Sequence, residues 1–205
     1  MKILAVSDVV VDSLYSLSVR EITRGVDLVL SCGDLPSGYL EYLVSTLDVP
    51  LYYVMGNHGA NGGEKPFPDG CENLDGRVIQ SQGLLIAGLE GSLRYNERPQ
   101  YQYTENEMMW KMVRMIPALW WNKIRYGRYL DVLVTHVPPF GIHDGHDLAH
   151  TGFRAFLKFI DWFHPDYLLH GHIHIYDSRT ATQTARGHTL VVNTYSYKIL
   201  EIKNP

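Results

Sequence analysis

Short apolar runs that stop abruptly at a polar residue constrain this chain more than any other feature. Ile3–Val6, Asp27–Ser31, Val49–Val54, Asp131–Thr135 and Tyr167–Leu169 are too continuously apolar to alternate, which is the pattern of strands buried on both faces. Stretches that fit helices follow the first two, around Leu14, Leu17 and Ile22 and over Gly38–Leu47. Strands alternating with helices predict a parallel sheet covered by helices. Ligands bind such sheets beyond the carboxyl ends of the strands. Each run delivers a polar group there: Asp8, Gly33-Asp34, Gly56-Asn57-His58, His136, and Gly171-His172-Ile173-His174.

The rest of the chain reads more coarsely. Residues 61–76 are rich in Gly, Pro and Asp and suit a loop over the site. Arg77–Ile79 and Leu84–Ala87 suit two strands joined through Gln82-Gly83, and Gly91–Asn96 is irregular. Thr104 with Glu107 forms a capping-box pattern that opens a helix to about Tyr126, which Pro117 should kink or break. The Met and Trp residues of that helix are read as packing onto the sheet, with core, lid and dimer face all open. Phe153–Phe163 has helical spacing. The tail, around 180–184, Thr189–Asn193 and Tyr197–Ile202, suits three antiparallel strands with Gly187 at a turn.

The 205 residues are expected to form one domain, 1–205. A net charge of −4 argues against broad capture of nucleic acid, whose affinity comes from Lys and Arg on phosphate. No apolar run approaches the ~18 residues of a membrane span. Cys32 and Cys71 lack CxxC spacing and secretory context, so the expected compartment is the reducing cytoplasm, with Cys32 a small buried apolar residue.

The polar strand ends share one chemistry. Alternate residues of an extended segment face one way, about 6–7 Å apart, so His172 and His174 can aim two imidazoles into one pocket, with Gly171 allowing a sharp turn. Asp34 can bridge two cations, Asp8 can hold one of them, and Asn57 offers a neutral oxygen to the other. With His136, His172 and His174 this is a mixed N/O donor set suited to manganese, iron, zinc or nickel rather than calcium. Two such ions about 3.5–4 Å apart clamp a phosphate, acidify a bridging water and steady an in-line transition state. His58, next to Asn57, is placed to protonate the leaving oxygen. Each residue alone has a plainer reading: Asp8 as a cap, Asn57 as a turn residue, His136 as a satisfied core histidine. Five polar clusters at five strand ends favour the joint metal site.

In order and spacing, Asp8, Gly33-Asp34, Gly56-Asn57-His58, His136 and Gly171-His172-Ile173-His174 resemble the signature of calcineurin-like metallophosphoesterases, over nearly the whole chain. The resemblance implies an α/β fold (α+β by some schemes), a four-layer α-β-β-α sandwich, with a dinuclear metal centre that hydrolyses phosphate esters. It implies Asp8, Asp34 and His174 as ligands of a first ion, and Asp34, Asn57, His136 and His172 as ligands of a second. His58 matches the family's catalytic histidine. Two positions depart from the pattern. Val10 stands where the first motif usually has a histidine, which leaves three outcomes open. These are a weaker, water-filled first site, a substitute ligand, or tight binding at the second site alone; a weakened but occupiable first site is favoured. Gly59 stands where a carboxylate often supports the catalytic histidine. Asp12, His143, Asp144, His146, Asp147 and His150 are possible substitutes for the missing ligand.

The loop of residues 141–150 is expected at the mouth of the site, with His143, Asp144 and His150 as candidate substrate contacts. Arg94, Tyr95 and Asn96, after another strand, are candidates to approach the substrate. The favoured function is a metal-dependent phosphoesterase with two divalent ions, manganese first among them, acting on a small phosphate ester and more readily on a diester. A nuclease is less favoured because no basic run is present. The rival is a protein-binding scaffold of the same fold, which Val10 and Gly59 favour and the retained His58 opposes.

Overall fold

The protein is described here from a computed structural model covering residues 1–58, 67–97, 100–177 and 179–202. Two sheets carry the molecule, with strands numbered along the chain. The first has the order β13-β1-β2-β3-β4, from β1 (Lys2–Ser7), β2 (Leu28–Ser31), β3 (Leu51–Tyr53), β4 (Glu72–Asn73) and β13 (Ser196–Glu201). The second has the order β11-β12-β10-β9-β6-β5, from β5 (Val78–Ser81), β6 (Leu84–Leu89), β9 (Val132–Thr135), β10 (Tyr167–His170), β11 (Gln183–Arg186) and β12 (Thr189–Asn193). A small pair, β7 (Ser92–Leu93) and β8 (Gln102–Tyr103), lies within the stretch expected to be irregular and just beyond it.

Side-chain alternation explains the layering. Odd residues of β1 and even residues of β2, Ile3, Ala5, Leu28 and Leu30, pack between the sheets against Leu84, Ile86, Val132, Val134, Leu169 and Val192. Their neighbours Leu4, Val6 and Val29 face outward onto Tyr39, Leu40 and Leu43 of helix α2 (Ser37–Leu47), which follows the short α1 (Val19–Ile22). On the far side, Leu85, Ala87, Leu133 and Leu168 turn to Met108, Met112 and Leu119 of α3 (Glu105–Tyr126) and Phe156, Phe159 and Ile160 of α4 (Arg154–Phe163). The result is a mixed parallel and antiparallel α/β fold in four layers, α-β-β-α. Burial of both sheet faces is why the central strands read as unbroken apolar runs.

Three expectations need correction. Helix α3 continues through Pro117, held at its start by the full Thr104–Glu107 capping box and closed by Gly127 in the left-handed region. The three tail strands do not all pair with one another: β11 and β12 pair antiparallel in the second sheet, as expected, and β13 crosses to pair antiparallel with β1 in the first. The helix after Asp8 contracts to the four residues of α1. The expected loop over the site falls partly on residues 61–66, which lie outside the described residues.

Candidate metal centre

Strands β1, β2, β9 and β10 run parallel to β2, β3, β6 and β12 within their sheets, and bonds from His172 to Asp8 and from His136 to the Cys32 carbonyl join the carboxyl ends of the two sheets. The chain leaves three of them through strained residues. Asp8, Asp34 and His172 have φ of 65°, 56° and 67°, a region that non-glycine residues enter at a cost. The turn thus falls on His172 rather than on Gly171. Gly171 serves a different purpose, since a Cβ there would press on the Asp8 carboxylate and the Ser7 side chain. Gly56 is similar: a Cβ would collide with the Asp34 carboxyl and the His136 ring.

Backbone carbonyls fix the tautomers of two imidazoles. The Cys32 carbonyl lies 2.8 Å from His136 Nδ1 and can only accept, so the proton sits on Nδ1 and Nε2 faces the site. The Ala149 carbonyl, 2.8 Å from His172 Nε2, likewise leaves His172 Nδ1 facing inward. Those two inward nitrogens are 3.1 Å apart. Asn57 Oδ1 lies 3.0 Å and Asp34 Oδ2 3.2 Å from the same His136 nitrogen. The donor atoms of Asp34, His136 and His172 all fall within 4.8 Å of one another. Asn57 is oriented by its amide nitrogen, which donates to the Tyr95 hydroxyl at 3.1 Å.

Four lone-pair atoms therefore converge, and with both imidazoles neutral and Asp34 ionised they have no hydrogen to share between them. In the metal-free protein a proton must take that place. Burial opposes charging His136, but the Asp34 and Asp8 carboxylates outweigh it and raise its pKa to about 9. Burial, then the adjacent His136 charge, pushes His172 down to about 3. Although burial pushes Asp34 up, His136 and His58 hold it below the usual carboxylate range. Asp8 is shifted the other way, raised by burial. Two imidazoles with preset tautomers, a carboxylate and an amide oxygen fit a divalent transition-metal ion.

The remaining candidates are arranged more loosely. Both Asp8 oxygens accept the His172 backbone N–H, at 2.9 and 3.0 Å. His174 is exposed, with Nδ1 2.9 Å from the Tyr176 hydroxyl, and lies outside the tight cluster. Val10 packs with the apolar residues under α2. A cavity of about 620 Å³ opens over the cluster, lined by Asp8, Asp34, His58, His172, His174, Tyr176 and the loop residues Gly145, Asp147 and His150. The His58 backbone N–H donates to Asp34 Oδ1 at 3.1 Å, while its imidazole is largely exposed, with Nε2 3.9 Å from Asp34 Oδ2. His150 bonds Asp147 at 2.8 Å and tilts over the His172 ring.

Other expected substrate contacts are engaged elsewhere. His143 bonds His170 Nε2 at 3.0 Å and Thr184 Oγ1 at 2.9 Å, anchoring its loop to β10 and β11. Asp144 accepts from the Gly152 backbone N–H. Arg94 makes a two-pronged ion pair with Glu107, at 2.9 and 3.1 Å. None of these three lines the cavity. Sequence reasoning missed the two orienting carbonyls and the role of Tyr95 behind Asn57. The carbonyls carry no side-chain signal, and Tyr95 carried only its place after a strand.

Comparison with known proteins agrees with this architecture. The family model described as calcineurin-like phosphoesterase matches residues 1–176. One solved structure superposes with a TM-score of 0.68 at 15% identity, covering 97% of this chain and 94% of its own. TT1561 of Thermus thermophilus superposes at 0.65 with 18% identity, covering 97% and 93%. Vps29 complexed with Zn²⁺ from Entamoeba histolytica gives 0.49 at 14%, covering 100% and 87%. No curated protein matches the chain.

Proposed function

The chain belongs to the calcineurin-like phosphoesterase family, and from that premise we propose that it is a metal-dependent hydrolase of phosphate esters, with a small phosphodiester as the favoured substrate. The observation that carries this reading is the facing pair of inward imidazole nitrogens, 3.1 Å apart beside Asp34 and Asn57. Asp34, Asn57, His136 and His172 would hold one ion, and Asp8, Asp34 and His174 a second and weaker one, with manganese the first choice for both. When bound, such ions supply positive charge to phosphate oxygens and lower the pKa of water.

The chain's own residues supply the rest. The cavity over the cluster, lined by His58, His150 and His174, receives the ester. His58, in that lining, protonates the departing oxygen, and its backbone N–H on Asp34 keeps it beside the reacting centre. The buried cluster excludes bulk water from one side, which strengthens each electrostatic contact. No helix among the described residues is long and apolar enough to cross a membrane. The free cysteines Cys32 and Cys71 suit the reducing cytoplasm that we propose as its compartment.

The test is hydrolysis of a chromogenic phosphodiester beside the matching monoester, with chelator-stripped protein titrated with manganese. Expected is metal-dependent turnover that falls roughly 10²- to 10⁴-fold in His58→Ala, as for loss of a general acid. No turnover of either ester by metal-loaded protein would overturn the enzyme. It would favour the scaffold reading, which the packing of a partly buried Val10 against apolar residues supports.

A further inference from the structure

Helix α3 has a face that the site does not use. Its core side, Met108, Met112, Met115 and Leu119, is buried. The opposite side of an amphipathic helix ordinarily carries charge. Here it presents Trp110, Val113, Pro117, Trp121 and Ile124 to solvent, with Trp120 at the edge. Trp110, Trp121 and Ile124 are 66%, 62% and 77% exposed. Steps of three, four, four and three residues keep them in one stripe of a 3.6-residue helix. Lys111 is turned inward onto Asp75 at 2.7 Å, and Lys123 donates to the Gly127 carbonyl, so neither lies across the stripe.

We propose that this stripe is the contact face of a homodimer, in which α3 packs antiparallel on its counterpart about a two-fold axis at Pro117. The sequence of the stripe is self-complementary about that point. Trp110 and Ile124 lie equally far from Pro117, as do Val113 and Trp121, and Arg114 and Trp120. The two-fold therefore sets each indole of the stripe on an aliphatic side chain of the partner copy. It also brings the exposed Arg114 guanidinium onto Trp120. Pro117 and Ala118 put small side chains at the crossing, where helix axes approach to about 8–10 Å. Antiparallel packing also opposes the dipoles of the two helices.

The area is adequate. Three tryptophans more than half exposed, with Ile124 and Val113, offer on the order of 600 Å² of apolar side chain. A standard interface uses roughly 800 Å² per partner, which the flanking Arg114 and Ala118 bring within reach. An apolar strip of this size is at the upper end of what monomers leave in water.

Sedimentation equilibrium of the full chain tests the proposal. Wild type is expected at twice the 23.4 kDa chain mass. Trp121→Glu is expected to raise the dimer dissociation constant at least roughly 100-fold, because an interface tryptophan is lost from both copies. Its thermal melt should match that of wild type diluted to the monomer, since the side chain makes little of the core. A second variant fixes the register: Pro117→Cys, with Cys71→Ser, should form a disulfide-linked dimer on mild oxidation, and Lys158→Cys on α4 in the same background should not. A wild-type monomer at all concentrations overturns the proposal, as does a dimer that survives Trp121→Glu. Recruitment of the monomer to lipid vesicles instead would assign the stripe to a membrane surface and overturn it equally.

Discussion

The two halves of the candidate metal site are built on different principles. In one, His136 and His172 are buried, their outer nitrogens are committed to the Cys32 and Ala149 carbonyls, and Asn57 is steered by Tyr95. In the other, Asp8 is committed to the His172 backbone and His174 stands exposed on Tyr176. The first half is organised before any ion arrives. The second requires His174 and Asp8 to turn from their present partners, and Val10 supplies no imidazole to help. Affinity follows preorganisation, so the halves should fill unequally.

Gly56→Ala should break the rigid half without removing a ligand. The added Cβ would displace Asp34 and His136 together, and we expect a loss of metal affinity of at least about 100-fold, beyond the 10–100-fold typical of changing a residue that only supports a ligand. Calorimetric titration of the stripped protein measures it. Affinity equal to wild type would mean that the cluster is softer than its geometry.

Acid should sharpen the same contrast in metal-free protein. Burial holds His170 and His172 near a pKa of about 3, against 6.5 in the unfolded chain. Between those values the unfolded state binds protons that the folded state refuses, so stability falls as pH drops below 6.5. The expected slope approaches tenfold in the folding equilibrium per pH unit for each group. His136, raised to about 9, acts on the other side: its contribution is full below 6.5 and fades as pH rises through 9. Urea midpoints across this range should peak near neutrality, and His170→Gln should flatten the acid limb. A flat profile would contradict neutral burial of these rings.

Much of this was legible in the residues themselves. An apolar run buried on both faces must end at a sheet edge, and the polar residue that stops it must lie there, which located Asp8, Asp34, His136 and His172. The capping box at Thr104 marked the start of α3 equally well. What escaped depends on partners remote in sequence. Pairing of β13 with β1 joins residues nearly 200 positions apart, and its pattern of alternation does not say which sheet receives it. His143 looked like a mouth residue because it sits in a polar loop, yet Thr184 and His170 draw it to the strands behind. The tautomers rest on backbone carbonyls that any residue carries. Pro117 was expected to kink or break α3, and it does not break it: the helix, packed on the second sheet, continues through it.

The central claim, that one half of the site is preset for a metal ion, is tested most directly by manganese titration of stripped wild type, His136→Ala and His174→Ala. The account predicts one tight site per chain, absent in His136→Ala and retained in His174→Ala, with any second binding event weak. No tight site in wild type, or a tight site that survives His136→Ala and vanishes in His174→Ala, would contradict it.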